Sequence, residues 1–188
     1  MSNMILNNNI LDILEEFATD FNKKIYGREI AKKLKMNQKT VSNILKRLEK
    51  EHILKFSVEG KNKYYYINNH HSNIKEIIKL IEINKKMKFI EKYKKFTELF
   101  NKSELRTKGI LVVFGSYANF SSNERSDLDI LIIGKNEEIK DLEELYNIKI
   151  NIIRIDKNNF DKNDTLIKET IKNHVILKGV EDFIELIW

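Results

Sequence analysis

Two short apolar runs, residues 110–114 (ILVVF) and 128–133 (LDILII), are separated by the polar stretch GSYANFSSNERSD, and this arrangement narrows the choice of folds more than any other feature of the chain. A continuous apolar run of five or six residues bounded by turn signals fits a strand covered on both faces. Gly115 and Ser116 follow the first run, and Asp127 and Asp129 open the second. Side chains two apart in a strand share a face, so both carboxylates are expected to point to one spot, about 7 Å apart along the backbone. Two anions held this close repel each other, and a bound divalent cation relieves that cost. Magnesium suits such a pair, because it takes hard oxygen ligands and is commonly held by one or two carboxylates together with phosphates. Gly115 permits close backbone approach, and Ser116 with the N–H groups after it can cradle a phosphate. The alternative is a solvated strand entrance behind an ordinary turn.

Charge is divided unevenly along the 188 residues. It is +5 over residues 1–70 (13 basic, 8 acidic), +6 over 71–108 (11 and 5) and −5 over 109–188 (10 and 15). A basic front and an acidic back suggest that a polyanion binds the front while the back handles cations. Cysteine is absent, which excludes disulfides, thiolate nucleophiles and cysteine zinc sites and leaves carboxylates and four histidines as metal ligands. No window reaches the ~18 apolar residues of a membrane span, and the opening MSNMILNNNILD lacks a signal peptide's basic flank and long apolar core, so a cytoplasmic location is expected.

The front third reads as three helices and a hairpin. Ile10, Leu11, Ile13, Leu14 and Phe17 recur at helical spacing, and a second helix follows the polar break Asn22-Lys23-Lys24 in GREIAKKL. Asn37 is placed to cap a third, QKTVSNILKRLEK, with Val41, Ile44, Leu45 and Leu48 inward. Its outer face carries Gln38, Lys39, Thr40, Ser42, Asn43, Lys46 and Arg47, short polar groups and cations of the kind that reach base edges and phosphates. ILKFSVEGKNKYYYI then reads as two strands around Glu59-Gly60-Lys61-Asn62, a hairpin with a basic tip. Tyr64, Tyr65 and Tyr66 are expected to pack on helices. Residues 10–69 resemble the winged helix-turn-helix domains of prokaryotic transcription regulators, with TVSNILKRLEKEHIL as recognition helix and lead into the wing. The resemblance implies double-stranded DNA as partner, with Lys39, Thr40, Ser42, Asn43, Lys46, Arg47, Lys61 and Lys63 as contacts. His52 departs from the pattern by standing where such helices often end in glycine, which weakens the stop signal.

Residues 71–107 read as a helical connector. Its apolar stripe Ile74, Ile77, Ile78 and Ile81 lapses at Asn84-Lys85-Lys86 and resumes with Met87, Ile90, Tyr93, Phe96 and Phe100. Fewer than the ~3 heptads a coiled coil needs keep register, so the halves are expected to pack on the two flanking domains, with a homodimer seam as the other reading. The connector's many lysines read as a solvated face.

GSYA followed by a short loop and SDLD resembles the minimal nucleotidyltransferases of the DNA polymerase β superfamily, over residues 108–188. The resemblance implies that Gly115 and Ser116 hold the phosphates of a nucleoside triphosphate while Asp127 and Asp129 bridge magnesium ions, for transfer of a nucleoside monophosphate to a hydroxyl with release of pyrophosphate. Small relatives act as antitoxins that modify a partner toxin, which adds a protein hydroxyl to the acceptors implied. Three features depart from the pattern. Asn119-Phe120 stands where members often carry Arg-Gly, with Arg125 as a candidate substitute. Asn151, on the strand NIKINIIRID, occupies the expected place of a third carboxylate, and an amide cannot take a proton at neutral pH. Asp156 fills that role only in a different register, since its parity is opposite. The tail NHVILKGVEDFIELIW resembles the closing strand and helix of archaeal winged-helix nucleotidyltransferase proteins, with His174 read as structural. The expected fold is therefore α+β: a winged helix-turn-helix (1–70), a helical connector (71–107) and a nucleotidyltransferase domain with a mixed sheet (108–188). The competing reading is a regulator whose nucleotidyltransferase domain no longer catalyses and only binds nucleotide or mediates assembly.

Overall fold

The computed structural model describes residues 7–18 and 23–188, so the opening MSNMIL and Asn22 of the polar break lie outside the described residues. The chain divides into two compact units, Met1–Ile81 and Glu82–Trp188.

In the first unit α1 (Asn8–Ala18) buries Ile10, Leu11, Ile13, Leu14 and Phe17, the stripe its periodicity marks. β1 (Ile25–Tyr26) leads into α2 (Gly27–Lys33), and α3 (Gln38–Lys50) follows. The Asn37 side chain accepts from the backbone N–H of Lys39 at 2.8 Å, satisfying one of the open donors of the first turn, a cap worth about 1 kcal/mol. α3 buries Val41, Leu45 and Leu48 and leaves its other face to solvent. At its end His52 takes the left-handed conformation (φ 59°) that glycine usually supplies. The N–H of His52 donates to Glu49 (2.9 Å) and that of Ile53 to Leu48 (2.9 Å), both apolar partners of the second bond being buried. The Asn68 amide donates to the His52 carbonyl at 2.7 Å and holds the turn, so the helix stops without a glycine. β2 (Leu54–Glu59) and β3 (Asn62–Ile67) form the hairpin, and β3 also pairs with β1, giving an antiparallel sheet of order β1-β3-β2. Tyr65 is buried, whereas Tyr64 and Tyr66 are half-buried.

α4 (Ile74–Lys92) buries Ile74, Ile77, Ile78 and Ile81 as expected. Beyond Ile81 the pattern differs from the sequence reading. Met87 is exposed, and the buried positions are Glu82, Lys85 and Phe89. These continue the helical spacing from Ile78 by steps of four, three and four, so the stripe does not lapse; two of its members are charged. Lys85 is accordingly buried beside Glu82 (3.7 Å) rather than solvated. The Glu82 carboxylate also lies 3.3 Å from Nε2 of His174, whose Nδ1 is 2.7 Å from the Ile171 carbonyl.

A single 3-10 turn (Lys94–Phe96) changes the helical phase before α5 (Thr97–Arg106). Then come β4 (Thr107–Phe114), α6 (Gly115–Ala118), β5 (Leu128–Asn136), α7 (Asp141–Tyr146), β6 (Ile150–Ile155), α8 (Thr165–Lys172), β7 (His174–Lys178) and α9 (Val180–Ile187). The strands form a mixed sheet of order β6-β5-β4-β7, with β5 and β6 parallel and the other pairs antiparallel. Phe89, Tyr93, Phe96 and Phe100 share one core with Leu111, Val113, Ile130 and Ile132 of the sheet. Ile110, Val112, Leu131 and Ile133 are buried on the other face, where α9 lies against β4. Cover on both faces explains the uninterrupted apolar runs. The aromatic half of that core comes from residues ahead of 108, where the sequence alone starts the domain.

Candidate functional site

The carboxylate pair sits where β4 ends and β5 begins. Asp129 is paired in register with Phe114 of β4 on one side and with Asn151 of β6 on the other. The Asn151 amide donates to Asp129 Oδ1 at 3.0 Å and to Asp127 Oδ2 at 3.3 Å, so a single NH2 group joins both carboxylates and they converge on one spot. Gly115 has φ 69°, and a Cβ there would lie 2.3 Å from Asp129 Oδ2. Only glycine lets the Asp129 carboxylate rest on the backbone at the start of α6.

A further cation completes the cluster. Lys149 Nζ lies 2.9 Å from Asp127 Oδ2, and its hydrogen bond, with that of Asn151, holds the Asp127 carboxyl below its ordinary value. Lys149 precedes Asn151 by two residues and so shares its face; its backbone is fixed beside Asp127 because its carbonyl accepts the N–H of Leu128 at 2.8 Å. The sequence reading missed this residue, although its parity with Asn151 was the available signal. Asp127 and Lys149 open onto a cleft of about 690 Å³ whose walls include Lys95, Arg125, Tyr117 and Tyr146. Arg125 is thus on the cleft that holds Asp127. Burial pushes the Tyr117 hydroxyl up in pKa.

The departures from the sequence pattern have local explanations. Phe120 adopts φ 57°, the conformation a glycine would take there, and offsets the strain by packing its ring on Tyr93 (stacked, 6.3 Å) and Phe89 (edge-on, 6.3 Å). Asn119 is exposed. Asp156 follows the last residue of β6 and sits at the far end of the strand from Asn151, beside Lys108, Lys135 and Lys157. The register therefore puts Asn151, not Asp156, across from Asp129. His174 is buried at the head of β7, consistent with a structural role.

The two converging carboxylates are hard-oxygen donors of the kind magnesium takes together with phosphates, whereas the Gly115 carbonyl already accepts the N–H of Asn119 at 3.1 Å. Among the described residues no cluster of three or more His, Cys, Asp or Glu side chains converges on a metal position. The third donor is neutral, since Asn151 has only a carboxamide to offer.

On the first unit, Lys39, Thr40, Ser42, Asn43, Lys46 and Arg47 all lie on the exposed face of α3, and Lys61 is exposed at the hairpin turn. Arg47 pairs with Glu51 (3.5 Å) across one helical turn. Lys63, on β3, is half-buried against α3, ion-paired with Glu49 at 2.6 Å and placed over the Phe56 ring at 3.6 Å. A groove of about 700 Å³ between α3 and the hairpin brings together Lys46, Lys50, Lys55 and Lys63 with Phe56 and Tyr66. No helix among the described residues is long and apolar enough to cross a membrane.

Residues 94–181 match the family described as polymerase beta, nucleotidyltransferase, so the second unit carries a nucleotidyltransferase-type domain. Two solved structures are similar in part. AF1382 from Archaeoglobus fulgidus is 21% identical over 44% of this chain and 92% of its own, with a TM-score of 0.37. A toxin-antitoxin with AMP-PNP is 17% identical over 50% of this chain and 78% of its own, also with a TM-score of 0.37. Neither likeness is close enough to bear on function. No curated protein matches the chain.

Proposed function

We propose that the second unit binds a nucleoside triphosphate with magnesium, Asp127 and Asp129 holding the ion and Gly115 and Ser116 the phosphates, and that the first unit is a winged helix-turn-helix bound to double-stranded DNA. The convergence of the two carboxylates on Asn151 beside Gly115 carries the first half of this reading. Bound magnesium supplies charge neutralisation for the triphosphate and for the leaving pyrophosphate. Gly115 lets the Asp129 carboxylate seat against the backbone at the start of α6, and Arg125 lies along the cleft onto which Asp127 opens. The reaction is attack of an acceptor hydroxyl on the α-phosphorus: the new P–O bond forms, the bond to pyrophosphate breaks, and the hydroxyl proton passes to a carboxylate or to water. A protein hydroxyl, such as one on a toxin, is one acceptor of this class.

A second reading has its own support. Asn151 cannot accept that proton and adds no charge to hold a second ion, which favours a domain that binds nucleotide as a regulator and transfers slowly or not at all. Both readings are tested with labelled ATP and magnesium, comparing the wild type with the double variant Asp127→Asn, Asp129→Asn and with Asn151→Asp. Transfer that is lost in the double variant and increased by Asn151→Asp fits a weakened transferase. No transfer by the wild type to any acceptor, with ATP still bound, fits the regulator. Transfer that persists in the double variant contradicts the proposed site.

The exposed face of α3 supports the DNA half, since its polar and cationic side chains run unbroken from Lys39 to Arg47 on one side of the helix.

A further inference from the structure

The Lys149–Asp127 contact is hard to explain as a stabilising ion pair. Lys149 keeps 67% of its side chain exposed and Asp127 34%, and pairs this open contribute little to folding. The contact does have a chemical consequence. Asp127 Oδ2 already receives an ammonium at 2.9 Å and an amide at 3.3 Å, so a divalent ion that used this oxygen would have to share it with, or displace, the chain's own donors. The same ammonium stands on the wall of the cleft onto which Asp127 opens, on a flexible four-carbon stem.

We propose that Lys149 is the resident counter-ion of Asp127 and is exchanged when a triphosphate arrives. Before nucleotide binds, its ammonium neutralises Asp127 and disfavours a divalent ion by like-charge repulsion. A triphosphate entering the cleft offers stronger anionic partners; Lys149 swings to the phosphate oxygens, and Asp127 is released to ligate the metal that accompanies them. No covalent bond changes in this step. The consequence is coupling: metal and nucleotide each bind more tightly in the presence of the other, and by linkage the factor is the same in both directions. This inference rests on the nucleotide–metal reading of Asp127 and Asp129.

The test is titration of the full chain with Mn2+, followed by the electron paramagnetic resonance signal of the free ion, with and without ATP, for the wild type, Lys149→Met, Lys149→Arg and the double variant Asp127→Asn, Asp129→Asn. Without ATP, Lys149→Met is expected to bind Mn2+ on the order of thirtyfold more tightly than wild type, the effect of removing one positive charge about 4 Å from a divalent ion in a water-like medium. Lys149→Arg keeps the charge and stays near the wild-type value. With ATP, the advantage of Lys149→Met shrinks, because the phosphate contact is lost as well. Loss of Mn2+ binding in the double variant, with Lys149→Met no tighter than wild type, overturns the exchange and leaves the site standing. Undiminished binding in the double variant, or no binding by any form, overturns both.

Discussion

Two clusters in the second unit are built from the same chemistry and differ in what surrounds them. Asp127, Lys149 and Asn151 meet at a cleft, whereas Glu82, Lys85 and His174 meet in the interior, where Glu82 is 2% and His174 1% exposed. In each, a carboxylate faces an ammonium and a side-chain nitrogen. Burial decides what the contact does. An interior pair cannot exchange partners, because its charges have no water to turn to, and removing one leaves the others uncompensated. The pair on the cleft stays hydrated and is free to exchange one cation for another.

Glu82→Gln should show the largest effect. With its charge gone, Lys85 loses its buried counter-ion and His174 Nε2 its carboxylate neighbour, and unfolding by urea should report a loss of about 3 kcal/mol or more. A loss no larger than that of an exposed ion pair would show that the interior cluster is solvated after all. The same residue sets an acid limit. Burial pushes the Glu82 carboxyl up, but His174 and Lys85 outweigh burial and hold it below the ordinary value of about 4.5. A depressed folded-state pKa gives stability that is fully present above that ordinary value and is lost as pH falls through the lower, folded-state one. Melting temperatures measured downward from pH 5 should therefore fall more steeply for wild type than for Glu82→Gln.

Gly115→Ala comes next. The backbone conformation alone costs about 1–3 kcal/mol for a non-glycine residue, and the new methyl group must displace the Asp129 carboxylate. Calorimetry should find nucleotide binding lost along with a modest fall in stability; retained binding would remove Gly115 from the site. The smallest effect on folding is expected at the exposed face of α3. Replacing both Lys46 and Arg47 by Ala should leave melting unchanged while weakening DNA binding and lowering its salt slope by about two. Unchanged affinity would argue for a protein-binding role instead.

Much of this architecture was legible in the sequence, because the signals were local. The Asn37 cap and the two-residue turn at Gly60-Lys61 each depend on residues a few positions apart, and the strands on either side of Gly115 each announce themselves by their own apolar run. The Asp127–Asp129 convergence followed from strand parity alone. What stayed hidden depends on distant partners. Glu82 and Lys85 hold helix positions that read as solvent-facing until His174, far along the chain, is packed against them. Lys63 reads as a free cation until Glu49 and Phe56 are placed beside it. Phe120 reads as the loss of a glycine, yet the fold keeps the glycine-like backbone and secures it with aromatic packing. Strand parity already favoured Asn151 over Asp156 for the third position, and the β5–β6 register, which pairs Asn151 with Asp129, agrees.

Whether Asp127 and Asp129 together form a metal–nucleotide site is decided by calorimetric titration with ATP in the presence of magnesium. Saturable binding by the wild type should weaken sharply when magnesium is chelated and disappear in Asp127→Asn, Asp129→Asn while the melting temperature holds. Equal binding by the wild type and the double variant would contradict such a site.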